Sequence, residues 1–82
     1  MTVTVRYFAA ARAAAGVDDE AVDVDEAATV ADLVEVLRAR GPELARVLAR
    51  CSYLRDGIAV RDITTPLAPA QTIDVLPPFA GG

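Results

Sequence analysis

Apolar and polar residues alternate over three stretches of the chain, which is the pattern of a strand with one buried face. The predicted strands, with their inward side chains, are 2–8 (Val3, Val5, Tyr7), 21–25 (Val22, Val24) and 71–76 (Ile73, Val75). Two further β-prone runs, 51–55 and 58–61, flank Asp56-Gly57. This dipeptide favours the tight two-residue turn of a hairpin, so we predict that the two runs pair.

Helical spacing begins after Thr29, where apolar residues follow at i, i+3, i+4 and i+7: Val30, Leu33, Val34 and Leu37. Thr29 with Asp32 three residues later is typical of a helix N-terminus. Gly41-Pro42 is expected to end this helix and start a shorter one, in which Leu44, Val47 and Leu48 share a face. The alanine-rich segment 9–15, followed by Gly16, predicts another short helical segment with glycine just past its end.

The predicted order is strand, strand, main helix, then two or three further strands. This order is typical of an α+β roll, in which a mixed sheet of four to five strands packs on one main helix, with short helices beside it. A chain of 82 residues provides one small core. We therefore predict one domain over 1–76 and a flexible C-terminal tail over 77–82.

The amino-acid composition excludes several classes of function. The net charge is −4, with no histidine and one cysteine, and all eight cations are arginine. The acidic balance speaks against nucleic acid and anionic membranes as partners. The N-terminus has no basic stretch followed by an apolar one, and no run of about 18 apolar residues occurs, so we expect a cytoplasmic protein. Catalysis by a histidine-assisted nucleophile is excluded, as is Schiff-base chemistry.

Few side chains are candidates for chemistry. Cys51 has no nearby cysteine and no histidine partner, so we expect a buried, inert thiol. The acidic residues of 18–26 lack the glycine and spaced acceptors of a calcium loop, and we predict no metal site. The five glycines form no phosphate-binding loop before a helix, so no bound cofactor is expected.

The C-terminus, Pro77-Pro78-Phe79-Ala80-Gly81-Gly82, is the remaining candidate. Two prolines stiffen its base, and two glycines without Cβ atoms make a thin end that a narrow channel can admit. A terminal carboxylate becomes an electrophile when another enzyme converts it to an acyl-adenylate with ATP, and the chain would then be a substrate. A frayed terminus without a function is an equally good interpretation of Gly81-Gly82 alone.

The whole chain resembles the sulfur-carrier proteins of the ubiquitin-like β-grasp superfamily, in particular the small subunits of molybdopterin synthase. The matching stretches are 5–12 (Val-Arg-Tyr-Phe-Ala-Ala-Ala-Arg), 29–33 (Thr-Val-Ala-Asp-Leu), Asp56-Gly57 and 76–82 (Leu-Pro-Pro-Phe-Ala-Gly-Gly). Pro-Pro before the terminal glycines is fairly specific to this branch. The chain departs from the family at Asp56, where asparagine is frequent, and at Ala70-Gln71, where Gly-Asp is usual.

The resemblance implies that an adenylyltransferase similar to ubiquitin-activating enzymes uses ATP to activate Gly82. A sulfur donor, such as a cysteine desulfurase or a rhodanese-like protein, then supplies a C-terminal thiocarboxylate. The tail, with Gly81, enters the large subunit of a heterotetramer containing two copies of each subunit. There it donates sulfur to a cyclic pyranopterin precursor of the molybdenum cofactor. The catalytic side chains are expected on the large subunit, so this chain is not itself an enzyme.

The apolar residues that cannot all fit under one helix are expected at the interface with the partner. We assign to this surface Phe8, Leu76, Pro77, Pro78, Phe79 and Ala80. For Phe8 and Leu76, ordinary core packing is an equally good interpretation. Two alternatives stay open: a sulfur carrier for cysteine or thiazole biosynthesis, and a ubiquitin-like modifier attached to other proteins through Gly82.

Overall fold

A computed structural model describes residues 1–78 of the chain. Its elements are, in chain order, β1 Thr2–Tyr7, α1 Ala9–Ala15, β2 Asp19–Asp23, α2 Val30–Arg38, α3 Pro42–Leu48, β3 Ser52–Arg55, β4 Ile58–Ala59 and β5 Thr72–Leu76. None of the helices in this part of the chain has the length and apolar character needed to cross a bilayer.

The five strands form one mixed sheet in the order β2-β1-β5-β3-β4. The last strand, β5, lies at its centre, parallel to β1 and antiparallel to β3. The other two pairs, β1 with β2 and β3 with β4, are antiparallel hairpin-like neighbours. Because strand side chains alternate, one face of this sheet is covered by the helices and the other is left open.

The core lies between the sheet and the helices, as the alternation predicts. Its largest fully buried side chains are Val3, Val5, Val30, Leu33, Leu37, Ile73 and Val75. Leu44 and Leu48 of α3 and Leu67 of the connection before β5 close its ends. The α+β roll expected from the order of elements is confirmed.

The helix ends follow the signals in the sequence. The Thr29 side chain accepts a hydrogen bond from the Asp32 amide, and the Asp32 carboxylate accepts one from the Thr29 amide, which completes a capping box. Gly16 ends α1 with φ of 81°, a left-handed conformation that glycine adopts without a Cβ clash. Pro42 occupies the first turn of α3, where the missing amide proton costs nothing.

Two of the predicted strands, the second and the fourth, have wrong boundaries by two residues, whereas the others agree to within one residue. We predicted 21–25 for the second strand, but β2 spans Asp19–Asp23, because the antiparallel partners of β1 extend from Asp23 opposite Thr2 to Asp19 opposite Arg6. Val22 is buried, whereas Val24 lies past the strand and is only partly buried against the core. The fourth strand ends at Ala59, because only two of its residues pair with β3 at the edge of the sheet.

The turn before β5 contains Ala70-Gln71, where the proteins that the chain resembles usually have Gly-Asp. Ala70 adopts φ of 63°, the left-handed region in which a Cβ atom crowds the backbone. The conformation is retained because the Ala70 amide donates to the carbonyl of Thr2 at 3.0 Å and so ties the turn to β1. A side chain is therefore held where the backbone geometry favours glycine.

Replacing Ala70 by glycine should relieve this strain. We expect the free energy of unfolding to rise by roughly 0.5–1 kcal/mol in Ala70→Gly, measured by denaturant unfolding. The matched control is Ala68→Gly, at an exposed position of the same connection without a positive φ. There the change should lower stability, because glycine only adds freedom to the unfolded chain. A stabilisation that is equal in the two variants would contradict this account.

Candidate functional site

The tail departs from the centre of the sheet. Leu76 ends β5 opposite Ser52 of β3, and Pro77 and Pro78 continue from it, half-buried and exposed respectively. A strand that is hydrogen-bonded on both sides gives these prolines a fixed base. The predicted site residues Phe79, Ala80, Gly81 and Gly82 lie outside the described residues.

Beside the start of the tail, the open sheet face carries a short row of apolar side chains, which we call the apolar row (Phe8, Leu76 and Val17). The Phe8 amide donates to the Val75 carbonyl at 3.2 Å, so the parallel register of β1 and β5 continues to Phe8 and Leu76. Both side chains lie on the face opposite the core, and Phe8 is 38% exposed. Neither side chain is part of the core.

Val17 is the member of this row that the sequence did not reveal. It is exposed and directly precedes Asp18, whose carbonyl accepts a hydrogen bond from the Tyr7 amide at 2.8 Å. This contact carries the antiparallel register of β1 and β2 one step further, toward Phe8. In the sequence Val17 stands alone between a glycine and an acidic run, so no periodicity indicated it.

Two residues earlier on the same two strands, the open face carries a charged row, which consists of Arg6 and Asp74. The Arg6 guanidinium donates to both carboxylate oxygens of Asp74, from Nε to Oδ1 at 2.6 Å and from Nη2 to Oδ2 at 2.8 Å. The Asp74 side chain is 7% exposed and that of Arg6 is 51% exposed. The pair satisfies a carboxylate that would otherwise be buried in the middle of a sheet without a partner. Neither the burial of Asp74 nor its pairing with Arg6 follows from the alternation along the two strands.

The Arg6 guanidinium also lies over the ring of Phe8, with its carbon 5.6 Å from the ring centroid. This distance is within the range of a cation–π contact. The hydrogen bonds to Asp74, together with the charge interaction with it, raise the pKa of Arg6 above its ordinary value. The apolar and charged rows are therefore in direct contact.

The other candidate side chains do not join this site. The Cys51 thiol is half-buried on the helical side and donates to the Val47 carbonyl at 3.2 Å. Burial raises the pKa of this thiol, so little thiolate is present at neutral pH. The acidic segment forms no group that could hold a metal ion within residues 1–78. One of its members, Glu20, accepts a hydrogen bond from the Tyr7 hydroxyl at 2.7 Å and pairs with Arg40.

A mixed five-stranded sheet that grips one main helix, with a glycine-ended segment following its central strand, defines a ubiquitin-like β-grasp protein of the carrier class. The model of the ThiS family matches residues 5–82, and the chain belongs to this family. The match includes the C-terminal glycines.

Individual relatives span the chain from end to end. The molybdopterin synthase sulfur carrier subunit of Chlamydomonas reinhardtii is 29% identical over 83 residues, covering 100% of both chains. SAMP1 of Haloferax volcanii superimposes with a TM-score of 0.87 at 29% identity, covering 100% of both chains. A putative molybdopterin converting factor subunit 1 of Pyrococcus furiosus gives 0.87 at 29% identity, covering 96% of this chain and 99% of its own.

A third structure shares the fold. It is the complex of subunits 1 and 2 of the molybdopterin-converting factor of Helicobacter pylori, in which the matching chain is 23% identical with a TM-score of 0.75, and the match covers 100% of both chains. At this identity the likeness concerns the architecture alone.

Proposed function

We propose that this chain is the sulfur-carrier subunit of a molybdopterin synthase. Support comes from its membership of the ThiS family and from the two relatives named for molybdopterin synthesis. The observation that carries the proposal is that the central strand β5 ends at Leu76, in the apolar row, and that the sequence leads from there to Gly81-Gly82. The segment that carries the proposed reactive terminus therefore begins at the proposed docking surface.

The chemistry resides in the α-carboxylate of Gly82. Its oxygen attacks the α-phosphorus of ATP on an activating enzyme, which yields an acyl-adenylate and pyrophosphate. Sulfur from a donor such as a persulfide then displaces AMP, and reduction of the sulfur–sulfur bond of the resulting acyl disulfide by a thiol leaves the thiocarboxylate. A thiocarboxylic acid is a stronger acid than an alkyl thiol, so the group is ionised and nucleophilic at neutral pH.

The domain contributes positioning rather than catalytic side chains. A rigid central strand sets where the tail begins, and Gly81 and Gly82 add no side chains that would widen it. The apolar row then docks against the large subunit, so that the terminus and the pyranopterin precursor meet in one cleft. In the proposed heterotetramer, two copies of each subunit act together. ATP is consumed by the activating enzyme, and this chain needs no bound cofactor.

Partner binding is proposed from three observations. Two members of the apolar row, Phe8 and Val17, are exposed, and exposed apolar surface is typical of a binding site. The row is contiguous with the departing tail, so one partner can engage both. The solved complex of Helicobacter pylori contains a subunit of this fold with its subunit 2.

Intact mass spectrometry tests the proposal. The purified protein is incubated with the activating enzyme, ATP and a sulfur donor, and the large subunit and the precursor are then added. We expect a gain of about 16 Da, which is the replacement of one oxygen by sulfur, and its loss on turnover. A gain that the precursor never consumes would contradict the molybdopterin pathway and favour another sulfur acceptor. Isopeptide adducts without any mass gain would favour a protein modifier.

A further inference from the structure

We infer that Asp74 and Arg6 are positioning residues that hold the Phe8 ring in place for docking. The inference rests on the proposed function, because it assigns a role within the docking surface. The Asp74 side chain is nearly buried below the open face of the sheet. Asp74 therefore acts on the docking surface through Arg6. The three residues form a chain of contacts from the central strand to the apolar row.

The first link is the bidentate pair. Both Asp74 oxygens are engaged by Arg6, at 2.6 and 2.8 Å, which fixes the plane of the guanidinium as well as its position. Asp74 is nearly buried on β5, so this anchor is itself rigid. Arg6 is thereby restrained, although half of its side chain is exposed.

The second link is the contact between Arg6 and Phe8. A guanidinium held 5.6 Å from the ring centroid restricts the rotamers that this ring can adopt. Phe8 is the residue between β1 and α1, and its backbone is extended. Its side chain makes no hydrogen bond that caps α1. Phe8 is not part of the core and is 38% exposed, so core packing does not fix the ring. Arg6 therefore orders the Phe8 ring in the free protein. Less conformational entropy is then lost when the surface binds its partner.

The alternative role for Arg6 is direct recognition of an acidic group on the partner. The surroundings disfavour it, because Asp74 neutralises the guanidinium and Asp19 is its cross-strand neighbour on β2. The local charge of these three residues is therefore −1. A partner carboxylate would meet repulsion from Asp19, whereas an ordered aromatic ring suits an apolar anchor pocket.

A double-mutant cycle between Asp74→Asn and Phe8→Ala tests the inference. Binding of the four proteins to the large subunit of the proposed synthase is measured by calorimetry. In the presence of Phe8, Asp74→Asn should weaken binding roughly 2- to 10-fold, the range for ordering one side chain. In the Phe8→Ala background it should have no further effect. Additive effects would overturn the inference, because Asp74 would then act without Phe8.

A second readout does not depend on the partner. In the free protein, protons of the Arg6 side chain should show ring-current shifts in NMR spectra, and Asp74→Asn should remove them. Unchanged shifts in that variant would overturn the inference whatever the binding data show. If the wild-type protein does not bind the large subunit, the proposed function fails, whereas the NMR comparison still decides whether Asp74 orders the ring.

Matched controls are available on the helical side. Glu43 and Arg46 form an exposed pair at 3.8 Å on α3, away from the open face. Glu43→Gln makes the same change in charge as Asp74→Asn and should leave binding unaltered. Arg6→Lys keeps the charge but loses the planar fork, so it should behave like Asp74→Asn. Wild-type binding by Arg6→Lys would contradict a role for the guanidinium geometry.

Discussion

A chain that ends at Gly81 is expected to lose sulfur transfer while its domain unfolds at the unchanged temperature. Deleting Gly82 moves the terminal carboxylate back by up to about 3.6 Å, the span of one extended residue. A displacement of about 1 Å at a reacting atom can already cost 100-fold in rate. We therefore expect the rate of precursor conversion to fall more than about 100-fold, measured by product formation under single turnover.

A second deletion distinguishes the effect of tail length from the effect of which residues end the tail. Removing Ala80 also shortens the tail by one residue but leaves Gly81-Gly82 at the end. If reach from the sheet decides the rate, this variant should be as impaired as the one without Gly82. Loss in the Gly82 deletion alone would assign the effect to the identity of the last residues. Full transfer from a chain ending at Gly81 would contradict the carrier proposal, and thermal unfolding of both variants verifies that the domain is intact.

Replacing Phe8 by aspartate is expected to separate binding from stability. A charge in the apolar row should weaken the complex with the large subunit about 30- to 1000-fold, the effect of losing an aromatic anchor of an interface. Phe8 is also the N-cap residue of α1, with an extended backbone and no capping hydrogen bond. Aspartate is among the best residues at this position, so the free energy of unfolding should stay the same or rise by about 1 kcal/mol.

Val36→Asp is the matched control for this substitution. Val36 is an apolar residue of similar exposure, 41%, but it lies on α2, on the helical side of the sheet. The same change of side chain there should leave the affinity for the large subunit within about twofold, as expected for a surface site away from the contact. Equal loss of binding in both variants would show that the net charge matters rather than the apolar row.

The parts of the fold that depend on neighbouring residues in the chain could be predicted from the sequence. The capping box of Thr29 and Asp32, the glycine after α1 and the hairpin at Asp56-Gly57 each arise from residues within a few positions of one another. The core faces of β1 and β5 were also predicted, since alternation records which side is buried. Strand ends were less accurate, because pairing rather than propensity decides where a strand stops.

The candidate site was only partly visible in the sequence for the same reason. The tail and the surplus of apolar residues indicated Phe8 and Leu76, and the structure brings these two together. The ion pair of Arg6 with Asp74 joins residues 68 positions apart, and it exists only because β1 and β5 run parallel and adjacent. No local pattern specifies that adjacency, so the sequence revealed neither the pair nor the burial of Asp74.

The central position of β5 in the sheet also determines when the domain can complete its folding during synthesis. During synthesis β1 emerges first and β5 last of the strands, yet β1 and β3 are joined in the sheet only through β5. Contacts between such distant parts of a chain form late in folding, because the intervening loop must close first. A ribosome-bound chain that lacks β5 therefore has two separate hairpins and no finished sheet. Under the proposed function, the C-terminus is therefore activated only on a domain that has completed folding.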